Sequence, residues 1–141
     1  MNKIKNNHTK KKNKKQKKGF TLVELLAVIV ILAIILVIAI PQIIETITKA
    51  RIGSLESSVK LVADAVEREY SNALILGKTE EFKSKGNDCM TIGNLGSDYK
   101  SCTYTLDENT QEVAVCIEGQ GKFNGYIAKG NKNHVQHQRQ H

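Results

Sequence analysis

The sequence predicts an α+β fold in which a long N-terminal helix packs on a small antiparallel sheet. First, residues 20–44 form an almost unbroken apolar run of helical length. Second, apolar residues between positions 52 and 73 recur at spacings of three and four, which marks one face of a helix. Third, residues 102–128 contain three short runs rich in β-branched and aromatic residues, separated by polar connections, as is typical of strands.

The apolar run has the length of a membrane-spanning helix. Phe20 to Ile40 is 21 residues with one charge, and every side chain from Leu25 to Ile40 is apolar. A helix of this length rises about 31 Å, close to the ~30 Å of a bilayer core. A buried core helix fits less well, because the rest of the chain has too little apolar sequence to surround it. A cleaved secretory signal also fits less well, because it would be shorter and end in small residues. We therefore assign residues 20–41 to a transmembrane and assembly helix.

The positive charge of the chain is concentrated in a basic leader, residues 1–19. The formal net charge is +7, but nine lysines lie within residues 1–18, and the remainder has 12 Lys and Arg against 14 Asp and Glu, a net of −2. This distribution argues against direct nucleic-acid binding by the chain. By the positive-inside rule the lysines stay in the cytoplasm, so we expect a single-pass protein of the cell membrane with its C-terminal head outside.

An amphipathic helix is predicted over residues 42–76, with its end at Gly77. The spacing of its apolar residues also fits a coiled coil, but the stripe covers only about three heptads. We therefore favour packing of this face against strands of the same chain. The face is formed by Ile52, Leu55, Val59, Val62, Val66, Tyr70 and Ala73.

A small β head is predicted over residues 77–129. Residues 77–101 are rich in Gly, Ser, Asn and Lys, which is typical of a loop. The runs CTYTL, EVAVCI and KFNGYIA predict three strands, joined by DENTQ and EGQG in an antiparallel meander. Residues 130–141 have little to bury and predict a disordered tail.

The three cysteines, Cys89, Cys102 and Cys116, allow one disulfide. Strand alternation places Cys102 and Cys116 on opposite faces if the apolar faces of both strands meet the helix. We therefore favour a Cys89–Cys102 disulfide, with three free thiols as the alternative. The sequence has no Cys-x-x-Cys pair and no recognisable pairing of a nucleophile with a base. Neither a metal, a cofactor nor an enzymatic activity is expected.

The apolar run contains one carboxylate, Glu24, about a turn from its start. A charge deep in lipid costs about 2.5–3.5 kcal/mol on insertion scales, so such a residue is a candidate functional group. Either Glu24 reaches the cytoplasmic headgroups or it finds a cationic partner when chains associate. Farther along, Pro41 lacks an N–H, so the carbonyl of Val37 loses its helical partner. A kink is therefore predicted near residues 37–41.

The segment KKGFTLVELLAVIVILAIILVIAIP resembles the N-terminal signature of type IV prepilins and pseudopilins, over roughly residues 15–45. The resemblance implies that a prepilin peptidase cuts between Gly19 and Phe20 and methylates the new amine of Phe20. It also implies that Glu24 pairs with the N-terminal amine of a neighbouring subunit. Pro41 stands where this family often has a proline that disturbs the helix.

The resemblance further implies a structural subunit that polymerises through its N-terminal helix into a helical filament at the cell surface. Its partners would be other copies of the chain, the peptidase, an assembly ATPase and a membrane platform protein. The filament would act in adhesion or motility as a fimbrium, in secretion, or in DNA uptake for competence. The alternative is a single-pass membrane-anchored protein whose basic cytoplasmic segment stays uncleaved.

Overall fold

The computed structural model describes residues 19–140. Residues 1–18, which contain the leader lysines, and His141 therefore lie outside the described residues. A short 3₁₀ turn, Gly121–Phe123, lies between the second and third strands. The helices and strands are, in chain order, α1 (Leu22–Ile75), α2 (Thr79–Ser84), β1 (Tyr99–Leu106), β2 (Val113–Gly119), β3 (Tyr126–Gly130) and β4 (Val135–Arg139).

The chain divides into two compact units, one ending at Ile40 and one beginning at Pro41. In the first unit α1 is apolar on all sides, and its large aliphatic side chains are exposed, from Leu22 at the start to Ile40 at the end. By length and composition α1 is able to cross a membrane. Because such a surface is unfavourable in water, this part of α1 requires lipid or protein around it.

The core of the second unit forms between the later part of α1 and one face of a sheet. Helix residues such as Leu55, Val59 and Val62 are fully or almost fully buried, as are Val115 and Ile117 of β2. Burying an aliphatic side chain of this size stabilises the folded state by about 1.5–3 kcal/mol relative to leaving it exposed. The predicted apolar stripe of the helix therefore packs against the sheet. Its members are buried except the first, Ile52, which is half-buried.

The sheet is an antiparallel meander in the order β1-β2-β3-β4. The pairing places Cys102 opposite Ile117, and Ile117 opposite Ala128. Along β2, buried and half-buried residues alternate strictly, so one face of the strand meets α1. The predicted α+β, pilin-like fold class, a long helix packed on a small antiparallel sheet, is confirmed.

Helix α1 ends in a left-handed turn that glycine favours. Gly77 has a φ of +67°, its N–H donates to the carbonyl of Leu74, and the N–H of Lys78 donates to the carbonyl of Ala73. This is the Schellman arrangement, which satisfies the last carbonyls of a helix. The predicted loop after it contains α2, whose Phe82 is buried in the core.

The prediction of a disordered tail is wrong for residues 135–139, which form β4. Five Cα pairs, from Tyr126 with Arg139 to Gly130 with Val135, join β4 to β3. Val135 is half-buried against the core, but the remaining side chains of β4 are exposed. The strand is therefore held by its backbone ladder and by the hydrogen bond between His137 and Glu56, and a count of apolar residues could not reveal it.

Candidate processing and assembly site

Helix α1 begins with a reciprocal pair of hydrogen bonds between Thr21 and Glu24. The N–H of Thr21 donates to Glu24 Oε2 at 2.9 Å, and the N–H of Glu24 donates to Thr21 Oγ1 at 3.2 Å. The carbonyl of Thr21 accepts a hydrogen bond from the N–H of Leu25. Thr21 is thus the N-cap residue, and the pair forms a capping box that satisfies two otherwise free helix donors.

The peptide bond between Gly19 and Phe20 lies just outside the helix. Both residues are exposed and non-helical, and 85% of Phe20 is accessible to solvent. Among the described residues other than its chain neighbour, none has a heavy atom within 4 Å of the place where a side chain on Gly19 would begin. Glycine at position 19 is therefore not required by close packing against the described residues.

Glu24 is exposed and lies on an otherwise apolar part of α1. The ion pairs formed by the described residues all use other carboxylates, the nearest in sequence being Glu45 with Lys49. Within the part of the chain that the structure covers, the carboxylate of Glu24 therefore has one hydrogen-bond donor, the N–H of Thr21, and no cation. A cation from outside this part of the chain would complete the charge balance of the site.

Pro41 lies inside α1, at the first residue of the second unit. Its missing N–H leaves the carbonyl of Val37 without a helical donor. A bend at this position stays a prediction.

Cys89 and Cys102 are joined by a disulfide, with their Cα atoms 5.1 Å apart and both side chains buried. The N–H of Cys89 also donates to the carbonyl of Cys102, so the segment before the loop lies along the outer edge of β1. Cys116 is a half-buried free thiol whose strand partner is Thr103, on the face of the sheet away from Cys102.

Charged groups of the head form ion pairs at its surface. An ammonium hydrogen bond from Lys122 lowers the pKa of Asp98, and one from Lys100 lowers the pKa of Glu118. Among residues 19–140 no cluster of three or more His, Cys, Asp or Glu side chains is arranged to hold a metal ion.

The capping box is not among the features predicted from the sequence, although its signature is present there. A Thr or Ser followed three residues later by Glu, just before an apolar run, marks a helix N-terminus. Residues 21–24, Thr-Leu-Val-Glu, fit this signature.

Comparison with known proteins identifies the segment that contains these residues. Residues 14–40 match the family model described as the prokaryotic N-terminal methylation motif, the signature of type IV prepilins. The resemblance inferred from the sequence is confirmed over this segment. Neither the search of curated proteins nor the search of solved structures finds a match for the chain.

Proposed function

We propose that this chain is a structural subunit of a type IV pilus or pseudopilus, cut after Gly19 and polymerised through α1. The observation that carries the proposal is the methylation motif of residues 14–40, which includes the exposed Gly19–Phe20 bond and Glu24. Cleavage there removes all nine leader lysines and creates a new amine on Phe20, which the peptidase then methylates.

Assembly is explained by charge pairing between subunits. A carboxylate and an ammonium in a water-poor place are stabilising only as a pair, because either one alone is costly there. If one subunit is displaced along the axis of a growing filament, the amine of its Phe20 approaches Glu24 of its neighbour. This pair then fixes the register of neighbouring helices, as a buried polar residue does in a coiled coil.

The filament core would consist of the apolar part of α1 from many subunits. These side chains are about half or more exposed in the single chain, with Ile29 at 60% and Ile34 at 59%. The bilayer covers this surface before assembly, and neighbouring helices cover it afterwards. The heads would lie outside the core and reach the cell surface.

The partners of the chain follow from this role. They are other copies of the chain, the prepilin peptidase, an assembly ATPase and a platform protein in the membrane. The role is structural and not catalytic. The filament serves adhesion or motility, secretion, or DNA uptake; the mature charge of −2 gives no support to DNA binding by this subunit itself.

The experiment is to replace Glu24 in a strain where this chain is the sole subunit. Glu24→Ala and Glu24→Gln should leave the amount of mature protein in the membrane unchanged and reduce sheared filaments at least tenfold. Glu45→Gln is the matched control, because Glu45 lies on the same helix and pairs with Lys49 in an exposed position. Normal filaments from Glu24→Ala would remove Glu24 from the assembly mechanism.

A further inference from the structure

We propose that Thr21 is a positioning residue, which holds the carboxylate of Glu24 toward the N-terminus of α1, where the neighbouring amine must bind. This inference rests on the proposed function, because it concerns the same charge pair. It goes beyond the charge pair, because it states which groups orient the carboxylate of Glu24: the hydroxyl and the backbone amide of Thr21.

The direction of the Glu24 side chain follows from the capping box. A glutamate in the first turn of a helix has three rotatable bonds and can extend away from the axis into its surroundings. Here the N–H of Thr21 binds Oε2 at 2.9 Å, which draws the carboxylate back to the end of the helix. The hydroxyl of Thr21 accepts a hydrogen bond from the N–H of Glu24, which fixes the backbone at the residue that carries the carboxylate.

The arrangement leaves room for a second donor. A carboxylate accepts hydrogen bonds at both oxygens. Oε2 accepts the N–H of Thr21, so Oε1 is the oxygen that can accept an ammonium group from another subunit. The capping box therefore orients the acceptor without occupying it fully.

The capping box lies wholly within the mature chain. Cleavage after Gly19 leaves Phe20 as the residue before the N-cap, and residues 21–24 are untouched. The hydrogen bonds between Thr21 and Glu24 therefore use no residue that this cleavage removes.

The test compares Thr21→Val with Thr21→Ser in the sole-subunit strain. Valine keeps the branched shape and the backbone N–H but removes the hydroxyl acceptor, whereas serine keeps the acceptor. Filaments are measured per mature chain, with maturation followed by mass, since Thr21 lies near the cleavage site. Loss of a cap should lower the filament yield of Thr21→Val about two- to thirty-fold. Thr21→Ser should restore it, which a merely space-filling role of Thr21 would not predict.

Glu24→Gln separates this inference from the proposed function, because glutamine keeps the capping-box acceptor and loses the charge. If Glu24→Gln fails to assemble while Thr21→Val assembles like the wild type, the positioning role is overturned and the charge pair stands. If Glu24→Gln also assembles normally, the charge pair itself is overturned. Equal losses from Thr21→Val and Thr21→Ser would overturn the role of the hydroxyl.

Discussion

The ammonium of Lys132 lies 2.5 Å from a carboxylate oxygen of Glu67, which joins the connection between β3 and β4 to α1. A second pair, His137 with Glu56 at 2.6 Å, joins β4 itself to the same helix. Glu56 and Glu67 are eleven residues apart, close to three full turns, so they lie on one side of α1. The connection before β4 and β4 itself therefore each contact the same side of α1 through one polar pair.

Removing β4 should destabilise the head. A chain that stops at Gly130 loses both polar contacts with α1, the ladder between β3 and β4, and the packing of Val135 against the core. We expect the free energy of unfolding to fall by about 2 kcal/mol or more. Thermal unfolding of the full-length protein in detergent measures this, and a chain that lacks only His141 is the control. Equal midpoints for the two truncations would show that β4 contributes nothing.

The disulfide should stabilise the head through the loop it closes. Cys89 and Cys102 are 13 positions apart, and cross-links of loops of this size typically contribute about 2–4 kcal/mol. We expect Cys89→Ser to lower the free energy of unfolding by this amount, which appears as a lower denaturant midpoint, and reductant to have the same effect on the wild type. Cys116→Ser is the matched control and should change little. The account of the loop fails if reductant leaves the midpoint of the wild type unchanged.

A side chain at Gly93 should disturb the contact between the disulfide loop and α1. A Cβ placed on Gly93 would lie 2.5 Å from Cγ2 of Val62, which is almost fully buried and has a stiff branched side chain. We expect Gly93→Ala to cost about 1–3 kcal/mol by overpacking. Gly96→Ala, in the same loop with open space around it, is the control. Denaturant unfolding of both variants checks this, and equal stability would contradict the contact.

Acid should destabilise the head through three carboxylates. Hydrogen bonds from Lys122 lower the pKa of Asp98, those from backbone N–H groups lower the pKa of Asp107, and those from Lys100 lower the pKa of Glu118. A carboxylate whose folded pKa lies below its unfolded value stabilises the fold above the unfolded value, and this contribution is lost as pH falls through the folded value.

The unfolded references are 3.8 for Asp and 4.5 for Glu. The stabilisation from these groups should therefore be complete at about pH 5 to 7 and decline below about pH 4. Denaturant unfolding across this range measures the decline, and Asp98→Asn should make it shallower. A stability that rises on acidification below pH 4 would contradict the assignment.

Periodicity predicted most of the helix and its contact with the sheet. The stripe that runs from Leu55 to Ala73 was readable because each of its members is apolar and is buried in the structure. The alternation in β2 was readable for the same reason, since Val113, Val115 and Ile117 face the core. Where burial determines structure, the spacing of apolar residues carries the information.

The sequence was a poor guide where structure depends on hydrogen bonds and ion pairs. Strand β4 is mostly polar, and its position depends on the ladder to β3 and on pairs formed with distant residues of α1. The capping box of Thr21 and Glu24 is an exception, because it is local and its Thr-x-x-Glu pattern is readable in the sequence. Pairing partners far apart in the chain leave no periodic pattern behind.

The N-terminal residue of the protein recovered from cells tests the central claim most directly. The measurement is the intact mass and N-terminal peptide of the chain, isolated from membranes and from sheared filaments of a strain with a working prepilin peptidase. The account predicts a chain that begins with N-methylated Phe20 in both fractions. A chain that keeps residues 1–18 and is confined to the membrane would contradict it and support the uncleaved single-pass anchor.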